Sequence, residues 1–437
     1  MTDSNRTLVR SLGRWTLVGL MLNGILGSGV YGLPSVIAGR VGGAAWWAWV
    51  MAAVAIGVIM LCVAEVASRF TGAGGPYLYA RTAFGPFVGV QMGWLSYLVR
   101  LTATATNANL FVIYLAEFVP AVSQPGVGTA VLVLLFGTLA AVNYVGVRQG
   151  AVMSNVLILA KIIPLVLFGV IGLALVAGRG AVEPVAVATP TTGTWIEVLL
   201  LLIFAYGGFE ASLVPLGEAR NPRRDAPFAL LMALGACAVL YTSVQLVTSL
   251  ALSDPAAHSR PLSAAAGALV GPAGASFMAV GALLSLYGYF AASMINVPRL
   301  SYAMADQGDI PRIFAKIDPK YRTPGVSIVA YAAFSLMLAL SGSFLQNLTL
   351  SAVSRLATYG LICLALPVFR RREGSDPAVG EASFRLPAGG LFAALGVGVT
   401  LLLATRMTMR EGLILSVVVV LATAIWQLTR RTRPLAG

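Results

Sequence analysis

Charged side chains are scarce in this chain of 437 residues, because Asp, Glu, Lys and Arg together make up only 10% of it. They make up about 25% of a typical soluble domain. Hydrophobic residues account for 58% of the sequence. This composition excludes an ordinary soluble protein and indicates an integral membrane protein.

Cysteine and histidine are also nearly absent. The three cysteines, Cys62, Cys237 and Cys363, lie singly within apolar segments and show neither metal-ligand spacing nor a disulfide framework. The one histidine, His258, falls in a predicted outer loop. Because these residues supply no nucleophile with a base and no metal cluster, we predict that the chain is not an enzyme and has no metal or cofactor.

Long hydrophobic runs are abundant instead. A membrane-spanning helix needs roughly 20 apolar residues, and twelve segments of about this length can be placed in the chain. We predict transmembrane helices at residues 15–37, 44–67, 86–119, 129–147, 153–176, 195–216, 227–252, 273–304, 324–340, 348–369, 387–405 and 411–428. No long linker divides them, so we predict one all-α membrane domain over residues 1–437.

The formal net charge of +13 follows the predicted topology. Most of the 29 Lys and Arg residues lie in the N-terminal tail, with Arg6 and Arg10, and in the connections on the same side. The opposite connections hold only Arg40, Arg179, Arg260, Arg406 and Arg410. This positive-inside pattern puts both termini in the cytoplasm. The excess of basic residues therefore reflects orientation in a lipid bilayer, which is the expected partner. It does not indicate binding to nucleic acid.

Two predicted spans are interrupted by glycine. Residues 24–29 (GILGSG) lie in the first span and residues 204–210 (FAYGGFE) in the sixth. A chain that unwinds in hydrocarbon must have its freed N–H and C=O groups satisfied by protein, water or a solute. Glycines that let neighbouring helices pack closely are the alternative explanation. Paired breaks at corresponding positions favour a transport site.

The positions of the breaks predict an internal repeat. Spans one to five (about 12–178) and six to ten (about 193–372) would form two repeats, followed by two extra helices (about 385–429). An odd number of spans per repeat inverts the second repeat in the membrane. Residue-level identity between the halves is not evident beyond the Gly-rich breaks.

The first break suits a carboxylate. We expect Gly27 and Gly29 to adopt backbone conformations that other residues resist. The second half-helix would then begin inside the membrane, and the N–H groups of Ser28, Gly29 and Val30 would lie at its positive end.

Glu210 and Lys161 lie within predicted spans, where ionisable residues are expensive and by default functional. Glu210, beside Gly207 and Gly208, either takes up and releases a proton in each cycle or forms a permanent ion pair with Arg100 or Arg355. Lys161 either loses and regains a proton, or stays charged where a sodium ion would otherwise bind, or snorkels to the interface.

Further polar and aromatic residues lie near the breaks. Arg100, with Thr104 and Asn107 one and two turns beyond it, forms a polar stripe on the third span. Arg100 either contacts substrate or joins an internal ion pair, and Arg355 is expected to be structural. Phe204 directly precedes the sixth break and is a candidate gate.

Taken together, these motifs resemble the amino acid, polyamine and organocation transporter superfamily. The resemblance covers the first ten helices and rests on GSGVY (27–31) with Pro34, GGPYLY (74–79), FAYGGFE (204–210), NPR (221–223) and AMADQG (303–308) with Pro311. It implies a five-plus-five inverted repeat with discontinuous helices 1 and 6, two extra helices, and secondary transport of amino acids or related amines.

The resemblance also implies roles for individual residues. Ser28 and Gly29 would bind the substrate carboxylate, and the carbonyls of Ile25, Phe204 and Gly207 would bind its amino group. Glu210 matches an acid of arginine/agmatine antiporters that is implicated in gating and proton linkage. Lys161 resembles a lysine whose ammonium takes the place of sodium, which implies a sodium-independent transporter.

Departures from the antiporter pattern bear on the substrate. That pattern has tryptophans where this chain has Phe204 and Ser293, and an uncharged residue at Arg100. A cationic substrate side chain would be repelled if Arg100 faced the site. We therefore expect neutral amino acids, with acidic and cationic ones open.

The functional prediction is alternating-access transport of amino acids across the cytoplasmic (inner) membrane, by proton symport or by exchange. A polyamine or cationic amino acid antiporter is the main alternative, and a non-transporting amino acid sensor is a lesser one. The expected partners are a small-molecule amino acid and protons, with a homodimer as one assembly state.

Overall fold

The structure is a computed structural model that describes residues 12–72, 74–146, 151–183, 185 and 187–431, without the side chains of residues 151–158 and 430–431. The predicted placement of both termini, with Arg6 and Arg10, therefore lies outside the described residues. The described chain forms sixteen α-helices and no extended strand, only an isolated bridge between Leu12 and Ala219. The helices are α1 (Arg14–Ile25), α2 (Ser28–Val41), α3 (Ala45–Ala67), α4 (Gly75–Phe84), α5 (Pro86–Leu115), α6 (Pro125–Val145), α7 (Ala151–Arg179), α8 (Thr192–Tyr206), α9 (Phe209–Ser212), α10 (Pro222–Ala251), α11 (Pro261–Val270), α12 (Pro272–Asp306), α13 (Gly325–Ser341), α14 (Phe344–Arg372), α15 (Gly389–Ala404) and α16 (Met409–Arg431).

Many of these helices have the length and apolarity of membrane spans. Within the described residues, eight helical ranges are long and apolar enough to cross a membrane. They are Ser28–Ala67, Pro125–Val145, Leu159–Arg179, Thr192–Glu218, Pro222–Ala251, Pro272–Asp306, Phe344–Arg372 and Met409–Thr429. The all-helical, multi-pass character predicted from composition is confirmed.

Both predicted breaks are present. The first span is divided into α1, which ends at Ile25, and α2, which begins at Ser28. The sixth span is divided at Gly207 and Gly208, between α8 and the four-residue α9. The other ten predicted segments each coincide with one helix, to within a few residues at most ends.

Two short helices occupy matching places in the halves of the chain. Both α4, between α3 and α5, and α11, between α10 and α12, have ten residues. Each ends at a glycine in the left-handed region followed by proline: Gly85 (φ 91°) before Pro86 and Gly271 (φ 81°) before Pro272. Glycine adopts this backbone without steric cost, and proline suits a helix start. The halves therefore share a residue-level feature that sequence inspection missed.

Apolar packing extends through most of the molecule. One cluster of buried hydrophobic side chains joins residues from α1 to α15. The three cysteines are buried and free. On α16, by contrast, large apolar side chains point outward, among them Leu413, Val420 and Leu428. An apolar outer surface of this kind suits a hydrocarbon solvent.

Candidate functional site

The two helix breaks meet backbone to backbone. A Cβ placed on Gly24 would lie 2.8 Å from the carbonyl oxygen of Gly208, and one on Gly29 would lie 2.8 Å from the Cα of Ala205. Both distances are shorter than real Cβ contacts, so only glycine permits this approach. From the sequence, close helix packing and a helix break were alternative explanations of these glycines. In the structure both occur together.

Only one of the glycines at the breaks needs an unusual backbone conformation. Gly208 has φ 114°, which side-chain-bearing residues rarely adopt. Gly27, in contrast, has φ −143° and ψ −151°, and Gly29 is helical with a negative φ. The conformational reason predicted for Gly27 and Gly29 is therefore wrong. Close approach to Ala205 explains Gly29, and a Cβ on Gly27 would only touch the Asn107 side chain at 3.6 Å.

The polar groups of the first break are partly satisfied from the third span. Ser28 N donates to Asn107 Oδ1 at 3.2 Å, and Asn107 Nδ2 donates to the carbonyl of Ala103 at 2.7 Å. The Ser28 hydroxyl is fully buried and has no hydrogen-bond partner in the described structure. Because the first N–H groups of a helix have no acceptor within it, the start of α2 presents donors at a buried point.

Side chains from α7 and α10 hold the carbonyl end of α1. Lys161 Nζ donates to the carbonyls of Asn23 at 3.3 Å and Leu26 at 3.4 Å, and Lys161 is almost completely buried. Tyr241 Oη lies 3.1 Å from the carbonyl of Ile25 and 3.3 Å from that of Ala205, at the end of α8. Lys161 therefore does not snorkel, and its charge lies where the partial negative charge of a helix C-terminus is expected.

Arg355 occupies the sixth break. Its Nη1 donates to the Phe204 carbonyl at 3.3 Å, and its Cζ lies 5.4 Å from the centre of the Phe204 ring. A Cβ on Gly207 would overlap this guanidinium. The Phe204 carbonyl, which was expected to bind the amino group of the substrate, is thus already bound by Arg355. The Phe204 ring packs against the same guanidinium.

Glu210 lies between two arginines. Its Oε1 is 3.6 Å from Arg100 Nη2 and 3.7 Å from Arg355 Nε, so the carboxylate forms ion pairs with both. Its Oε2 accepts from Gly208 N at 2.8 Å and from Tyr359 Oη at 3.2 Å. The two arginines that the sequence offered as alternative partners both contact Glu210.

Thr104 lies near the site without a free polar group. Its hydroxyl is 2.5 Å from Tyr331 Oη, which in turn lies 3.5 Å from the Arg100 carbonyl. The three residues of the predicted polar stripe on the third span therefore contact different parts of the structure. Asn107 contacts the first break, Arg100 contacts Glu210, and Thr104 packs against α13.

Two tyrosines at the breaks were not found from the sequence. Tyr359 binds Glu210, stacks on Phe209 with ring centres 5.4 Å apart, and lies one turn after Arg355 on α14. Tyr241 is followed one turn later by Gln245 on α10. The sequence did contain a signal for both tyrosines, since each lies one helical turn from another polar residue in an otherwise apolar span.

Two buried hydroxyls near the breaks lack hydrogen-bond partners among the described atoms. They belong to Ser28 on α2 and Tyr289 on α12. The hydroxyls of Tyr31 on α2 and Ser285 on α12 face each other. Buried hydroxyls in folded proteins are normally bonded, so those of Ser28 and Tyr289 suit a polar solute.

Two discontinuous helices that meet at a buried polar centre of a multi-pass bundle are typical of secondary transporters. The chain matches the family model described as amino acid permease over residues 12–425, and it belongs to that family. The members of this family are transporters rather than enzymes.

Relatives named as transporters resemble most of the chain. It is 27% identical to the methylthioribose transporter of Bacillus subtilis, covering 91% of this chain and 88% of the relative. It is 25% identical to the branched-chain amino acid permease BcaP of the same organism, again with 91% and 88% coverage. It is 25% identical to the arginine/agmatine antiporter of Chlamydia pneumoniae, with 89% and 84% coverage.

Proposed function

We propose that this protein transports amino acids across the cytoplasmic membrane by alternating access, without sodium. The observation that carries the proposal is the contact between the two breaks, where the donor end of α2 and the carbonyl ends of α1 and α8 converge within a few ångströms. Donors and acceptors at one buried point complement the carboxylate and amino groups that all amino acids share.

The substrate is proposed to use the predicted backbone site. Its carboxylate binds the Ser28 hydroxyl and the first N–H groups of α2, including that of Gly29. Its amino group binds the carbonyls of Ile25, Phe204 and Gly207. Because Tyr241 and Arg355 contact two of these carbonyls in this structure, substrate binding requires both side chains to shift, and Phe204 moves with Arg355 as a gate.

Lys161 is the proposed proton handle. Its ammonium holds two α1 carbonyls in a buried place where a sodium ion would otherwise bind, which supports sodium independence. Loss of its proton would release the end of α1 and so link protonation to a change of state. Glu210, with a guanidinium on either side, is the proposed permanent counter-ion, because two nearby cations favour its charged form.

The finer architecture is also a proposal. Twelve spans in one domain would comprise two inverted repeats, over about 12–178 and 193–372, and two extra helices over about 385–429. The matching places of α4 and α11, each followed by a Gly-Pro junction, support the repeat. The distribution of Lys and Arg supports cytoplasmic termini.

Exchange and proton symport are both compatible with the proposal, and antiporters among the relatives favour exchange. A polyamine or cationic amino acid antiporter is a second candidate, suggested by those same relatives. Arg100 and Arg355 beside the breaks argue against it, since they would repel a cationic side chain.

The test is transport by the purified protein in liposomes. Vesicles loaded with unlabelled amino acids should take up the same labelled amino acid by counterflow, with equal rates in sodium and potassium buffers. An inward proton gradient should drive net uptake if the mechanism is symport. A protein that is stabilised by an amino acid but exchanges none would instead be a sensor, and uptake of methylthioribose alone would show a different substrate class.

A further inference from the structure

The buried centre of the molecule has an excess of positive charge. Glu210 is the only carboxylate within ion-pair distance of Arg100 or Arg355 in the described residues. Lys161, also buried, contacts two backbone carbonyls and no described carboxylate. An uncompensated buried charge is unfavourable, and a zwitterionic substrate would leave this excess unchanged.

The contacts of the three charged side chains are also incomplete. The distances from Glu210 Oε1 to Arg100 and Arg355, 3.6 and 3.7 Å, are too long for hydrogen bonds. Both Glu210 Oε1 and Arg355 Nε are buried without a hydrogen-bond partner among the described atoms. A guanidinium carries five N–H donors in a planar fork that fits a carboxylate. Because one unpartnered acceptor, Glu210 Oε1, faces the donors of two guanidiniums, donors are in surplus at this point.

The side-chain amino group of a cationic substrate would find few free acceptors at this site. The carbonyls exposed at the breaks already accept from Lys161, Tyr241 and Arg355. The unpartnered Tyr289 hydroxyl can donate to a carboxylate and add to the stronger, charge-assisted bonds that the guanidiniums form. The lining thus complements an anion better than a cation.

We propose that the preferred substrates are acidic amino acids, whose side-chain carboxylate binds between Arg100 and Arg355. This inference rests on the proposed function and names its substrate class. Arg100 and Arg355 are then specificity-determining residues, and Glu210 neutralises part of their charge while the site is empty. The expectation of neutral substrates from the sequence is replaced by an anionic one.

The test compares substrates that differ by one charge. The probes are L-glutamate against L-glutamine and L-aspartate against L-asparagine, with L-arginine as the cationic probe. Each is offered as an unlabelled competitor for counterflow in proteoliposomes, and binding to the purified protein is followed by thermal stabilisation. We expect half-maximal competition by the acid at a concentration about tenfold or more below that of its amide, since tenfold corresponds to about 1.4 kcal/mol.

Variants assign the preference to the arginine. In Arg100→Gln, the Arg355 guanidinium alone remains beside the Glu210 carboxylate, which balances its charge. The acidic substrate should therefore lose its advantage over the corresponding amide. Arg100→Lys retains the charge and should keep most of the preference. Arg299→Gln is the matched control, because Arg299 is exposed and, among the described residues, donates to the Ile295 carbonyl of its own helix.

Equal competition by acids and amides in the wild-type protein would overturn this inference and leave the proposed function standing. An acid preference that persists in folded Arg100→Gln would also overturn it, because the selectivity would arise elsewhere. Exchange of no amino acid at all would overturn the proposed function itself. If Arg100→Gln does not fold, the wild-type comparison and Arg100→Lys still decide the question.

Discussion

Individual side chains replace the hydrogen bonds that the two breaks remove. Lys161 binds the carbonyls of Asn23 and Leu26, Tyr241 binds that of Ile25, and Arg355 binds that of Phe204. An unpaired carbonyl in the interior of a membrane protein costs several kcal/mol, so each of these donors stabilises the break that it contacts. In the proposed mechanism, these same donors move when substrate takes their place.

Lys161→Met tests the proton handle. Methionine is similar in length and apolar, so it fits the buried space but carries no proton and no charge. We expect uptake driven by a proton gradient to fall by about tenfold or more, while exchange at equal pH on both sides continues. Lys320→Met, at an exposed lysine outside the predicted spans, should change neither rate. Gradient-driven uptake that is unaffected by Lys161→Met would contradict the assignment.

Glu210→Gln tests the counter-ion. The amide can still accept from Gly208 N and Tyr359 but leaves two guanidiniums without their anion. We expect the free energy of unfolding to fall by about 3–5 kcal/mol, the usual cost of breaking a buried ion pair. Glu197→Gln, at the exposed partner of Arg40, should cost about 1 kcal/mol or less.

The pH profile of Glu210→Gln separates its two proposed roles. A permanent counter-ion takes up no proton during transport, so the pH dependence of the residual activity should match that of the wild-type protein. A flattened profile would instead make Glu210 the proton carrier and remove that role from Lys161.

At the scale of helices, the contact between α1 and the α8–α9 junction depends on Gly208. Its φ of 114° costs a side-chain-bearing residue about 1–3 kcal/mol, and a Cβ there would overlap the Gly24 carbonyl oxygen. We therefore expect Gly208→Ala to lower thermal stability and abolish transport. Gly235→Ala is the control: it lies in α10 with open space around it, and should be neutral or stabilising by up to about 1 kcal/mol. Full activity of Gly208→Ala would show that the breaks do not need this contact.

The sequence predicted the helices and breaks because both depend on local properties. Apolar run length defines a span, and Gly207-Gly208 interrupts one wherever it folds. The partners of the breaks could not be predicted in the same way, because Tyr241 and Arg355 reach them from distant helices, and their distances depend on packing. For the same reason, Arg100 and Arg355 were alternatives in the sequence but lie together around Glu210 in the structure.

Across the whole molecule, contacts join the two halves on both sides. On the side predicted to be outer, Arg260 pairs with Glu117 at 2.8 Å and Arg40 with Glu197 at 2.7 Å. On the opposite side, the backbone of Leu12 bonds to those of Glu218 and Arg220. A solute can leave to one side only if the contacts on that side open. Alternating access therefore requires two sets of bonds that are each weak enough to break.

Tyr77→Phe tests one member of the predicted cytoplasmic set. Tyr77 Oη on α4 lies 2.6 Å from Asp309 Oδ2 and 2.5 Å from Gln307 Oε1, beyond the end of α12, and Arg81 Nη1 donates to both Tyr77 Oη and Asp309 Oδ2. Burial, followed by the bond to Asp309, raises the pKa of the Tyr77 hydroxyl, so it stays protonated and donates at physiological pH.

Removing this hydroxyl leaves the buried Asp309 with one donor fewer and should loosen α4 by about 1–3 kcal/mol. Amide hydrogen exchange in α4 should then accelerate about 5–150-fold, while exchange in α15, one of the two extra helices, stays unchanged. Tyr302→Phe, at a tyrosine of α12 with no hydrogen bond among those described, is the matched control. If α4 exchanges at the wild-type rate in Tyr77→Phe, this bond does not hold the two halves together, and the closure on that side must depend on the Leu12 contacts.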